Sequence, residues 1–210
     1  MADKADSRAR IVEAALGLFC ARGFAAVGTQ EICDKAGVLK GSLYHFFPGK
    51  VDIALAALEH YGDIMDAAFR AAVGGRARPE RKLAKVFDGA RAMGDCHKAE
   101  SGVMYGCLHG NLALELSAVE ERVRVCIDAI TRRWVATLAL VVEELAAAGV
   151  IPAGDPLAAG HTLLAYLHGV VLMAKAANDP AIITRMSKQA VGLLGGRVPV
   201  ARRRTPRQGR

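Results

Sequence analysis

Apolar residues recur at spacings of three and four along most of the chain, and no segment alternates with the period of a strand. Ile11, Ala15, Leu18 and Phe19 give an inner face to a first helix running from about Asp6 to Arg22. Gly23 ends it, and Phe24 falls where it can pack back on Phe19. Thr29 suits the N-cap of a second, two-turn helix in which Ile32 and Ala36 share a face. Gly37 then stands at a left-handed C′ position, with Val38 as its hydrophobic partner. Lys40 to His45 form a third short helix, with Leu43 and Phe46 or Phe47 turned inward. Pro48-Gly49 breaks it, and a longer helix runs from Lys50 to about Val73.

After the break at Gly74-Gly75, the pattern predicts a helix from Pro79 to about Lys98 carrying Leu83, Val86, Phe87 and Ala90. A short helix follows from about Gly106 to Leu116. Ser117 and Glu120 have capping-box spacing and open a helix to about Ala148, ended by Gly149. Asp155-Pro156 opens another, to about Ala177, and Asp179-Pro180 opens the last, to about Leu194. The expected fold is all-α with about nine helices: a three-helix helix-turn-helix unit over 1–50, a helical bundle over 51–196, and a tail over 197–210.

The stretch from 29 to 50 carries the chemistry. Two short helices joined by a tight turn are the layout that sets the second helix in the major groove of double-stranded DNA. Lys40, Gly41, Ser42, Tyr44 and His45 are left on its outer face, and Thr29 and Gln30 open the helix before it. These are mostly donors for phosphate oxygens and base edges. Lys50 begins a helix, a natural place for a phosphate.

These residues, ARIVEAALGLFCARGF followed by TQEICDKAGVLKGSLYHFFPGKVDI, resemble the N-terminal domain of the TetR/AcrR family of transcriptional repressors over about residues 8 to 58. Leu39 departs from the family's small hydroxyl cap of the recognition helix, and Gly49 from a serine-like cap of the next. The resemblance implies a homodimer whose last two long helices pair with those of a second subunit. It also implies a repressor that leaves its operator when an effector binds. Geometry supports the dimer: one short helix reads few base pairs, whereas a two-fold pair reads a near-palindrome with half-sites about one helical turn apart. The apolar faces within 155–194 are the expected contact; the alternative is that they only complete the monomer core.

Composition bounds the rest. Of 210 residues, 52% are hydrophobic and 5% aromatic, so the core is built on Ala, Leu and Val. Charges or glycines interrupt each apolar run before membrane-span length, and the N-terminus lacks a signal-peptide apolar region, so a cytoplasmic protein with no membrane partner is expected. The net charge is +7, but Arg197, Arg202, Arg203, Arg204, Arg207 and Arg210 supply most of it, and the remainder is near +1. With Pro199 and Pro206, that tail reads as disordered. It either adds salt-sensitive affinity for DNA or merely solubilises the chain's end. Cys20, Cys33, Cys96, Cys107 and Cys126 are irregularly spaced and contain no CxxC pair; free thiols, mostly buried, are expected.

YGCLHGNLALELS, residues 105 to 117, resembles a TetR subgroup with a GCxxGNLAxE-like motif, some of whose members respond to electrophiles or oxidants. That resemblance singles out Cys107. Lying near a helix N-terminus, it would feel the positive end of the helix dipole, which lowers a thiol pKa; the alternative is an inert cysteine packing a helix junction. His109, two residues on, would not share a helix face with it. His161, His168 and Lys175 recur every seven residues and either line a cavity, rim the dimer contact or face solvent. Lys175 is a candidate neighbour for a reactive cysteine. Phe87, Met93, Met104, Tyr105, Tyr166 and Met173, with Tyr61 and Phe69, suit a pocket for a small, largely apolar effector, although ordinary core packing accounts for any one of them. Cys96-His97 and Cys107-x-His109 lack a regular metal-ligand spacing, so no metal or cofactor is expected. No phosphate loop, dinucleotide fingerprint, GxSxG or HExxH occurs. The competing classes are an enzyme using Cys107 with His161 or His168, and a non-specific DNA-compacting or membrane-surface protein driven by the arginine tail.

Overall fold

A computed structural model describes residues 4–196, and the arginine tail lies outside the described residues. The described residues form ten helices and no strand: α1 Lys4–Arg22, α2 Thr29–Ala36, α3 Lys40–Phe46, α4 Lys50–Val73, α5 Pro79–Ser101, α6 Leu108–Leu116, α7 Glu121–Ala147, α8 Pro156–Ala177, α9 Ala181–Ser187 and α10 Ala190–Leu193.

The N-terminal helices close as their apolar spacing dictates. Ile11, Ala15 and Phe19 are fully buried, and Phe24 packs on Phe19 with ring centroids 5.6 Å apart. Gly37 takes φ +63°, which a side-chain-bearing residue adopts only with strain. It lets Val38 N–H reach Cys33 O at 3.1 Å and so ends α2 sharply. Leu43 and Phe47 face the core, whereas Phe46 is only half-buried. α4 packs against α1 on one side and α7 on the other, joining the DNA-reading unit to the bundle.

Trp134 of α7 centres the bundle, 1% exposed, edge-on to Phe69 and Tyr61 of α4. Buried Lys82 of α5 donates to both carboxylate oxygens of Glu144 on α7 at 2.7 Å. α7 and α8 approach closely at Gly160, where an added Cβ would lie 2.8 Å from Val135 O.

Four expectations are corrected. Gly28, not Thr29, is the N-cap of α2, and Thr29 is its first helical residue. Ser117 ends α6 instead of opening α7; Glu120 itself caps α7, its carboxylate accepting from Arg122 N–H. The last predicted helix is two short ones parted at Lys188-Gln189, giving ten helices. α8 is long and apolar enough to span a membrane by length and composition, with mean hydropathy 1.5, yet only 33% of that window is buried. Leu163, Leu164, Leu167, Val170 and Ala174 face the bundle; Leu157, Leu172 and Met173 stay more than half exposed, as does Leu140 of α7.

Candidate DNA interface and effector cavity

The outer face of α3 presents Lys40, Gly41, Ser42, Tyr44 and His45 to solvent while Leu43 anchors the other side. Leu39 caps α3 with no side-chain hydrogen bond and is 80% exposed, as its departure from a hydroxyl residue implies. The Thr29 hydroxyl lies 3.4 Å from the Tyr44 hydroxyl, so the start of α2 and the middle of α3 form one polar edge. Gln30 is exposed there and donates to Asp34. Lys50 opens α4, but its Nζ sits 4.2 Å from the centre of the Phe24 ring, and partial burial lowers its pKa. Its position is therefore fixed by a contact absent from the sequence reading. Arg10 was likewise not singled out; it donates to Ala36 O at 2.9 Å and holds the end of α2 against α1.

The second site is a cavity of about 30 Å³, room for about a water or two, enclosed by α4, α5, α7, α8 and the turn before α6. Tyr61, Met65 and Phe69 line one wall, Met93 and His97 another, and Met104, Gly106, Cys107, Trp134 and His168 are among the rest of the lining. Of the residues expected to line a pocket, Cys107, Met93, Met104, His168, Tyr61 and Phe69 are there. The rest are not. Phe87 is core, packed on Tyr166, whose hydroxyl donates to Met186 O at 2.9 Å. Tyr105 stacks on His97 and lines an open groove beside α1. Met173 is 58% exposed on the opposite side of α8. The seven-residue stripe also divides: His168 lines the cavity, the Lys175 stem lies against Gly106, and exposed His161 hydrogen-bonds its own helix at Leu157 O.

Cys107 is the N-cap of α6, in extended conformation. Its Sγ accepts from the Tyr61 hydroxyl at 3.4 Å. The helix-end amides of His109 and Gly110, and Lys175, favour the thiolate, but burial outweighs them and pushes the thiol pKa up. This corrects the expectation that the dipole would lower it. Among the other free thiols, Cys20 and Cys33 are buried, Cys126 is half-buried and Cys96 is exposed, so burial is less general than expected. His109 also escapes the helix-face argument. Cys107 lies just outside the helix, and Cys107, His109 and His168 each bring a ligand atom within 4.8 Å of the others.

From Cys107, a stripe runs along α6 at helical spacing: Cys107, Asn111, Glu115. Gly106, at φ +86°, lets the Lys175 stem lie against the chain just before it, where an added Cβ would be 2.9 Å from Lys175 Cδ. Lys175 Nζ donates to Asn111 Oδ1 at 3.2 Å, and Asn111 Nδ2 donates to Cys20 O at 3.0 Å. One turn on, the two carboxylate oxygens of Glu115 accept from Phe24 N–H at 3.0 Å and Ala25 N–H at 2.9 Å. α6 thus touches the cavity at one end and holds the α1–α2 turn at the other. Asn111 and Glu115 were passed over because their spacing gains meaning only once α1 lies against α6.

Two family models match. "Bacterial regulatory proteins, tetR family" covers residues 11–57, and "Tetracyclin repressor-like, C-terminal domain" covers residues 79–190. The chain is 31% identical over 170 residues to the transcriptional regulator AcuR of Cereibacter sphaeroides, covering 79% of this chain and 74% of that protein. It is 27% identical over 172 residues to the HTH-type transcriptional repressor NemR of Escherichia coli, covering 81% and 84%. The crystal structure of a regulatory protein TetR from Rhodobacter sphaeroides superposes with a TM-score of 0.80 at 27% identity, over 89% of this chain and 98% of the other. The C-terminal match spans more than half of the chain and adjoins a helix-turn-helix that the sequence and the folded α2–α3 pair describe alike, so the protein belongs to the TetR family of DNA-binding transcriptional regulators, which are not enzymes.

Proposed function

We propose that the protein is a homodimeric, cytoplasmic repressor that binds a near-palindromic operator through α3 and releases it when the Tyr61–Cys107–His168 cavity is filled. The observation that carries this reading is the α6 stripe. A ligand that displaces Cys107 or Lys175 moves the helix whose Glu115 holds the α1–α2 turn. Such a ligand needs only unequal affinity for the two arrangements. Lys40, Ser42, Tyr44 and His45 are the DNA-reading set, with Thr29 and Gln30 supporting and Lys50 beside a phosphate. The unpartnered apolar side of α8, around Leu157, Leu172 and Met173, is the dimer contact.

The effector is small and mostly apolar, a reading that the Met- and aromatic-lined wall supports. The raised thiol pKa favours a non-covalent ligand over a thiolate-seeking electrophile. The deciding experiment measures binding to the protein's own upstream DNA at fixed salt, with and without a thiol-reactive electrophile, for the protein and for Cys107→Ser. Tight binding unaffected by treatment supports the non-covalent reading. Binding lost on treatment but kept in Cys107→Ser establishes thiol sensing in its place. Absence of specific binding to any upstream fragment overturns the repressor reading.

A further inference from the structure

We infer that Cys107, His109 and His168 form a binding site for a thiophilic metal ion of the zinc type. The inference shares the effector cavity but rests only on the cluster itself, not on how the operator is released.

The three ligand atoms converge to within 4.8 Å from two separate elements, the start of α6 and the middle of α8. The ring of His109 fixes its own chemistry. Its Nε2 lies 3.0 Å from Thr131 Oγ1 and 3.3 Å from Ile127 O. A carbonyl oxygen only accepts, and the Thr131 hydroxyl proton is already directed to Ile127 O at 2.8 Å. Nε2 therefore carries the proton and Nδ1 is a bare lone pair. That Nδ1 is buried and has no hydrogen-bond partner among the described residues, in a side chain only 5% exposed. A buried acceptor left without a partner is unfavourable and calls for an occupant.

The occupant has to suit a thiol and two imidazoles. Zinc takes thiolate and neutral imidazole, and its histidine ligands characteristically donate their other N–H to a fixed acceptor, as Nε2 does here to Thr131 and Ile127. His168 faces His109 with ring centroids 5.3 Å apart, and both rings pack against Trp134. Tetrahedral bonds of about 2.0–2.3 Å set ligand atoms roughly 3.3–3.7 Å apart, so the cluster closes by about an ångström on binding. Cys107 loses its proton to solvent as its sulfur bonds the ion, with no change of oxidation state. Three protein ligands leave one position toward the cavity for water or an anionic group.

The test is titration of the full chain, stripped with chelator and kept reduced without thiols, with Co(II) as a spectroscopic stand-in for zinc. One equivalent should give the intense visible bands of tetrahedral cobalt and a sulfur-to-cobalt charge-transfer band, both erased by Zn(II). Cys107→Ser should abolish the charge-transfer band. His109→Gln and His168→Gln should weaken affinity by at least about tenfold, and Thr131→Val by about 10–100-fold through the lost support of His109. Cys96→Ser, at an exposed thiol, should change nothing. Circular dichroism confirms that each variant is folded, and Thr131→Val retains the side-chain shape if the ligand variants are not. No charge-transfer band at excess Co(II), or the same band in Cys107→Ser, overturns the site. Operator binding by the stripped protein is scored separately, so failure here leaves the repressor reading standing.

Discussion

Replacing Glu115 by Ala should loosen the α1–α2 turn without disturbing the bundle. The carboxylate accepts from two consecutive amides, Phe24 at 3.0 Å and Ala25 at 2.9 Å. Hydrogen bonds to a charged group are worth about 1.5–3 kcal/mol each, but Glu115 is exposed, and solvent screening reduces the pair to about 1–2 kcal/mol in total. Leu112 and Leu116, which bury α6, are untouched. The measurement is residue-resolved amide hydrogen exchange. Phe24 and Ala25 amides should exchange about 5–30-fold faster, while α7 and α8 amides keep their protection. Glu115→Gln keeps one acceptor oxygen and should fall between. In the operator assay the same variant should respond less to any ligand of the cavity, because its movement no longer reaches α2. Unchanged exchange at both amides would refute the reasoning, and a loss above about 4 kcal/mol would show that Glu115 supports more than this turn.

Three further outcomes follow from the geometry. Tyr44→Phe and His45→Ala should weaken operator binding more than binding to unrelated DNA, whereas Lys40→Ala should weaken both and lower the salt slope by about one, measured by fluorescence anisotropy across salt. Met173→Glu with Leu172→Glu should shift the protein from dimer to monomer in sedimentation equilibrium while leaving its helicity intact; a persistent dimer would move the contact elsewhere. The Arg122 guanidinium, 2.7 Å from Asp52, holds that carboxyl below its usual range. Its stabilisation is therefore present above the unfolded carboxyl pKa of about 3.9 and lost as pH falls through the lower folded value. Arg122→Gln should remove that part of the acid dependence in urea titrations from pH 7 to 3, and an unaltered profile would rule the pair out.

The N-terminal unit was readable because its signals are local. Gly37, the Ile32–Ala36 pair and Pro48-Gly49 each act within a few residues, and the helices they predict are present. Asp155 before Pro156 opened α8 for the same reason, its carboxylate accepting from Leu157 N–H. Ser117–Glu120 misled because capping-box spacing does not say which of its ends becomes the cap, and here Glu120 does. The cavity was only partly readable. Bulk says that Phe87, Tyr166 and Met173 are fit for a pocket, but not which way they face, and α8 is apolar on both sides. His109 was set aside by a helix-spacing argument that fails for a residue preceding the first turn, and its nearness to His168 depends on how α6 meets α8.

In the dimer proposed above, the half-bare α8 ties the protein's stability to its abundance. An apolar window of α8 that is one-third buried in a single chain gains stability when a second copy covers it. Dilution then weakens two things together, the added stability of the paired chain and the grip on a two-part operator. The melting temperature should climb with protein concentration, and in a cell the copy number would set repression along a steeper curve than simple one-to-one occupancy.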